Sequence, residues 1–123
     1  MYEYALEDRL KIFIGRNAKA NDALVRRTLA DLRESKLQAY WMHLDDQTSA
    51  HGVVTVMQPA SKSELVEACK FVKEWLLTSK VASSDSDVVL CKMSDVSPTK
   101  NKGCVVCKNQ VKMRSSAWTK LLE

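Results

Sequence analysis

Glycine is scarce in this chain, with three in 123 residues, at Gly15, Gly52 and Gly103, each far from the others. Phosphate-cradling loops of either common type need several glycines close together, because backbone amides must approach the phosphate where a Cβ would intrude. Their absence argues against a nucleotide-hydrolysing or dinucleotide-dependent enzyme. No apolar run approaches the ~20 residues that a membrane span requires, and no charged, apolar, small-residue leader follows Met1. The expectation is therefore an intracellular protein, cytoplasmic or nuclear, neither secreted nor membrane-bound. No internal repeat and no low-complexity segment is visible.

What is present fits one domain. The sequence is 46% apolar and 28% charged, and a chain of this length can bury roughly two thirds of its unfolded surface without help from disulfides or metals. The decisive stretch is 61–80. Leu65, Ala68, Cys69, Val72, Trp75, Leu76 and Ser79 recur there at helical spacing, opposite Lys62, Glu67, Lys70, Lys73 and Glu74. Ser61 followed by Glu64 is a capping box, and Pro59 stops the helix from running backwards. This is read as a long central helix whose apolar stripe something else must cover.

The rest of the chain is arranged around it. Leu6, Leu10, Phe13 and Ile14 predict a short first helix over 4–14, closed by Gly15. Asn21 or Asp22 is placed to cap a second, running to about Lys36, with Val25, Thr28, Leu29 and Leu32 inward. At Leu37 the period becomes two: Ala39, Trp41 and His43 face one side of a strand, Tyr40, Met42 and Leu44 the other. Residues 53–57 form a second strand, antiparallel to the first across the link 45–52, and 88–93 a third after the helix. The last segment, 94–114, reads as a polar loop followed by a small hairpin or knuckle, after which Trp118, Leu121 and Leu122 dock back. The predicted class is α+β: a single domain of two N-terminal helices, a small mixed or antiparallel sheet crossed by the long helix, and a C-terminal cysteine-containing knuckle. Residues 1–93 form the core and 94–123 a basic subregion.

Two features carry chemistry. Cys104 and Cys107, two residues apart, could share a tetrahedral ion, with Cys91 as third ligand and His51 ranked first as fourth, ahead of His43 and Cys69. The pair resembles half of a zinc ribbon over these few residues, which transfers no function. Zinc, a redox pair at Cys104 and Cys107, and an ordinary strand with small apolar thiols all stay open. The second feature is charge. Residues 88–123 carry seven basic and two acidic groups, and so contain the entire net excess of +4. Lys100, Lys102, Lys108, Lys112, Arg114 and Lys120 surround the cysteines and could release counterions from phosphates, with Trp118 either stacking on a base or buried. His43, Asp45, Asp46 and His51 bracket one loop, where a hairpin would bring the histidines together. The sequence points first to a small non-enzymatic regulatory or accessory protein whose basic C-terminal region, stabilised by zinc, binds nucleic acid or an acidic protein surface. A protein–protein interaction module is the alternative, and a thiol-disulfide oxidoreductase the second.

Overall fold

A computed structural model describes residues 2–6, 8–45, 49–79 and 81–123. Its frame is a six-stranded antiparallel sheet. In chain order its elements are β1 (Tyr2–Leu6), β2 (Leu10–Gly15), helix α1 (Ala18–Ser35), β3 (Gln38–Leu44), β4 (His51–Val56), helix α2 (Lys62–Leu77) and β5 (Val88–Lys92). Then follow a 3-10 turn (Met93–Asp95), β6 (Val96–Pro98), β7 (Val105–Cys107), β8 (Val111–Lys112) and a 3-10 helix (Ser116–Leu122). Strand order is β1-β2-β4-β3-β5-β8, while β6 and β7 form a separate two-stranded sheet. Because β4 and β5 are both antiparallel to β3, they run parallel to one another, and α2 is the crossover between them.

The α+β class and single domain are as expected, but the first predicted helix is a hairpin. β1 pairs with β2 from Tyr2↔Ile14 to Leu6↔Leu10, turning at Asp8 in the left-handed region (φ 60°). Leu10, Ile12 and Ile14 all enter one core cluster while Phe13 packs into the other. A spacing of four, as between Leu10 and Ile14, satisfies a helical face and a strand face alike. The β-branched Ile12 and Ile14 and the pairing with β4 decide for the strand.

Both true helices cap as their sequences dictate. Ser61 Oγ accepts from the Glu64 amide at 3.1 Å and Glu64 Oε1 from the Ser61 amide at 3.2 Å, so the capping box is closed. α2 stops at Leu77, short of the expected end at Lys80, which lies outside the described residues. α1 starts earlier than expected, since Asn17 caps it by accepting from the Ala20 amide at 2.8 Å. Asn21 is instead an interior residue of the helix, and Lys36 closes its end in the left-handed region.

The period of two sorts the core into two layers. Tyr40, Met42 and Leu44 face α2, joining Leu65, Ala68, Cys69, Val72 and Leu76, together with Trp118 and Leu122 of the C-terminal 3-10 helix. Ala39 and Trp41 face the other way, joining Leu24 and Val25 of α1 and Cys91, Met93 and Val96. Thus α2 covers one face of the sheet, and α1 with the β6–β7 hairpin covers the other. Among the described residues no helix is long and apolar enough to cross a membrane.

Candidate functional site

On the α1 face the covering is incomplete and leaves a cavity of about 920 Å³, lined among others by Arg16, Asn21, Trp41, His43, His51 and Lys102. Its floor is set by strand alternation. Trp41 and His43 are two apart on β3, so both point to this face, and their rings stack with centroids 5.4 Å apart and planes 7° from parallel. His51 at the start of β4 meets both edge-on, at 5.3 Å from Trp41 and 5.0 Å from His43. The expected approach of the two histidines is therefore present.

His51 is held from several sides. Trp41 Nε1 donates to its Nδ1 at 3.2 Å, its backbone N–H donates to Asn21 Oδ1 at 3.2 Å, and its ring is hydrogen-bonded to the Gly103 backbone. It is 1% exposed. Burial, and secondarily the neighbouring His43, press its pKa down to about 4, so at neutral pH the ring is uncharged. Burial also lowers the pKa of His43. Asn21, itself buried, holds α1 to the start of β4, its Nδ2 reaching the Ser49 carbonyl at 3.4 Å.

The rim is basic. The tip of the β6–β7 hairpin docks on the first turn of α1, where Gly103 (φ 80°) lies so close that a Cβ there would sit 2.9 Å from Ala18 Cα. This contact joins two stretches remote in sequence, 9–21 and 96–107, neither of which contains an acidic residue. Arg16, Lys19, Lys100 and Lys102 lie on them, all exposed, beside the partial positive charge of the α1 N-terminus.

The predicted ligand set is not gathered. Among the described residues no group of three or more His, Cys, Asp or Glu is placed to hold a metal ion. Cys104 is exposed, Cys107 half-buried and Cys91 fully buried. Cys104 immediately precedes the extended strand that Cys107 ends, so the pair lies on a strand of the β6–β7 hairpin and not on the turn of a metal knuckle. His51, taken as the least constrained candidate, is locked beneath Trp41 and Asn21. Cys69 sits in the α2 stripe, where burial pushes its thiol up to about 12. Only Cys91 and Cys107 come together, side chain to side chain.

The predicted basic residues divide. Lys112 Nζ pairs with Asp45 at 3.3 Å and Arg114 Nε with Asp87 at 3.7 Å, around a second hollow away from the rim. Lys100, Lys102, Lys108 and Lys120 are exposed, Lys120 on the C-terminal 3-10 helix. Trp118, 6% exposed, is core and cannot stack on a base. Asp46 lies outside the described residues. Sequence reasoning missed Arg16, Lys19 and Asn21. The usable signal is the acid-free run 9–21, which the balanced charge of residues 1–60 as a whole conceals.

No protein-family model and no curated protein matches the chain. Among solved structures it is similar to the C-terminal part of the fibronectin/fibrinogen-binding protein from Streptococcus suis. The two share 23% identity with a TM-score of 0.61, over 90% of this chain and 42% of that one. The likeness shows a shared fold, and this chain spans less than half the length of that structure.

Proposed function

We propose that this chain is a non-enzymatic accessory module that binds nucleic acid through phosphate contacts at the rim formed by the α1 N-terminus and the β6–β7 hairpin. The observation that carries this is that Arg16 and Lys102, from two elements remote in sequence, line one cavity, with exposed Lys19 and Lys100 on the same two acid-free stretches. Cations held by two separate elements track a phosphate backbone better than the same charges scattered, because each contact releases condensed counterions. The neutral His51 and His43 and the buried Trp41 make the floor a rigid support with no charge to repel or replace.

Fluorescence anisotropy with a labelled duplex at several salt concentrations tests the proposal. Log affinity should fall with log salt at a slope of about −0.9 per phosphate contacted. Arg16→Ala and Lys102→Ala should each flatten that slope by about one contact, whereas Lys120→Ala should leave it unchanged. Salt-independent binding, or none, sinks the proposal.

A protein partner is the second reading, favoured by Tyr2, Tyr4 and Phe71, which are 38%, 37% and 42% exposed. Tyr4 and Phe71 meet edge-on at 5.0 Å, so they form one aromatic patch on β1 and α2. Exposed aromatics are frequent anchors of interfaces. The similar solved structure belongs to a protein whose name records binding to fibronectin and fibrinogen. Loss of a partner on Phe71→Ala, with the rim lysines replaced to no effect, would favour this reading.

A further inference from the structure

The β6–β7 hairpin has no ladder to the main sheet, yet one side chain of it meets one side chain of that sheet in a way that invites a covalent link. Cys91 projects from β5 on the α1 face and Cys107 ends β7, and both belong to the cluster containing Met93 and Val96. The Cys91 thiol donates to the Lys108 carbonyl at 3.1 Å, which sets it beside Cys107, the residue before Lys108, and the two side chains interact. Lys108 itself is tied back by its amide to the Asp95 carbonyl at 3.0 Å, which fixes the end of β7.

We propose that Cys91 and Cys107 form a reversible disulfide that locks the hairpin to the sheet under hydroperoxide stress. The two thiols differ in the way such a pair needs. Cys107 is half-buried and reachable by a small oxidant, and its contact with the Cys91 side chain lowers its pKa. Cys91 is fully buried and held as the thiol, chiefly by its interaction with the Cys107 side chain and then by burial. The Cys107 thiolate attacks the peroxide oxygen, the O–O bond breaks, and one oxygen stays as a sulfenic acid while the other leaves as hydroxide, protonated to water. The Cys91 sulfur then attacks the sulfenic sulfur, the S–O bond breaks, the Cys91 proton leaves with that oxygen as a second water, and the S–S bond forms. Two thiols are oxidised and one peroxide reduced. Cys69 lies across the sheet in the α2 layer, and exposed Cys104 is absent from the cluster that holds Cys91 and Cys107.

Hydrogen peroxide treatment followed by intact mass and unreduced tryptic mapping tests this. The parent chain and Cys104→Ala should each lose about 2 Da, reversibly with dithiothreitol. In both, the peptide 81–92 should be joined to the peptide 103–108. A bridge inside 103–108, a gain of about 32 Da from sulfinic acid without a bridge, or a link to 81–92 that persists in Cys107→Ser would each overturn the proposal. Because Cys104→Ala changes only an exposed side chain, the result does not hinge on the fold tolerating a change at buried Cys91.

Discussion

Gly52 sets how closely α2 can approach the sheet, and replacing it by alanine measures that distance. The residue lies in the central strand β4, paired with Ile14 on one side and Met42 on the other, so β4 is hydrogen-bonded on both edges and cannot easily shift. A Cβ there would stand 2.3 Å from Val72 Cγ1, well inside the 3.5–4.0 Å carbon separation of least energy. Overpacking a buried site costs about 1–3 kcal/mol, while the lower entropy of an unfolded chain bearing alanine returns about 0.4–1 kcal/mol. Gly52→Ala should therefore destabilise by about 1–2 kcal/mol. Val72→Ala alone removes two methyl groups from a fully buried position and should cost about 2 kcal/mol. In the double variant the alanine methyl occupies space that Val72 vacates, so its loss should be smaller than the sum by about 1 kcal/mol or more. Urea unfolding of the four proteins, compared by midpoint at common slope, gives this coupling directly. A Gly52→Ala chain as stable as the parent, or effects that add to within about 0.3–0.5 kcal/mol, would refute the close approach of α2 to β4.

His51 should make the fold acid-sensitive: its pKa is about 4 in the folded protein, against a usual 6.5. The unfolded chain therefore binds a proton between those values that the folded one refuses. Stability is complete above about pH 6.5 and falls as the solution is acidified, by about 2 kcal/mol at pH 5. His51→Gln should flatten the stability slope between pH 7 and 5, and an unchanged slope would show that the ring is not buried neutral. Ser61→Ala should cost about 1 kcal/mol by opening the capping box of α2, without changing nucleic-acid affinity. A thermal midpoint equal to that of the parent would contradict the cap.

Local pattern revealed much of the frame because the residues concerned satisfy only one period. Tyr40, Trp41 and Met42 alternate without ambiguity, and the stripe from Leu65 to Leu76, begun by Ser61 and Glu64, cannot be a strand. The segment Leu10–Ile14 satisfies both periods, so its state was settled by β4 lying beside it. The candidate site was legible only in pieces. His43 with His51 followed from the hairpin, and Lys100 and Lys102 from the basic segment. Their meeting with Arg16 depends on Gly103 docking on Ala18, a contact that joins residues 85 positions apart.

The sequence by itself determined an α+β domain with a capped central helix, a two-faced strand from Ala39 to Leu44, and the basic C-terminal segment. It determined these because helix capping, side-chain alternation and charge are properties of neighbours along the chain. Tertiary structure alone decided that Cys91 lies beside Cys107, that Lys112 and Arg114 are partly neutralised by Asp45 and Asp87, and that Trp118 is core. Each of these depends on which distant segment fills a given space, and no local period encodes that.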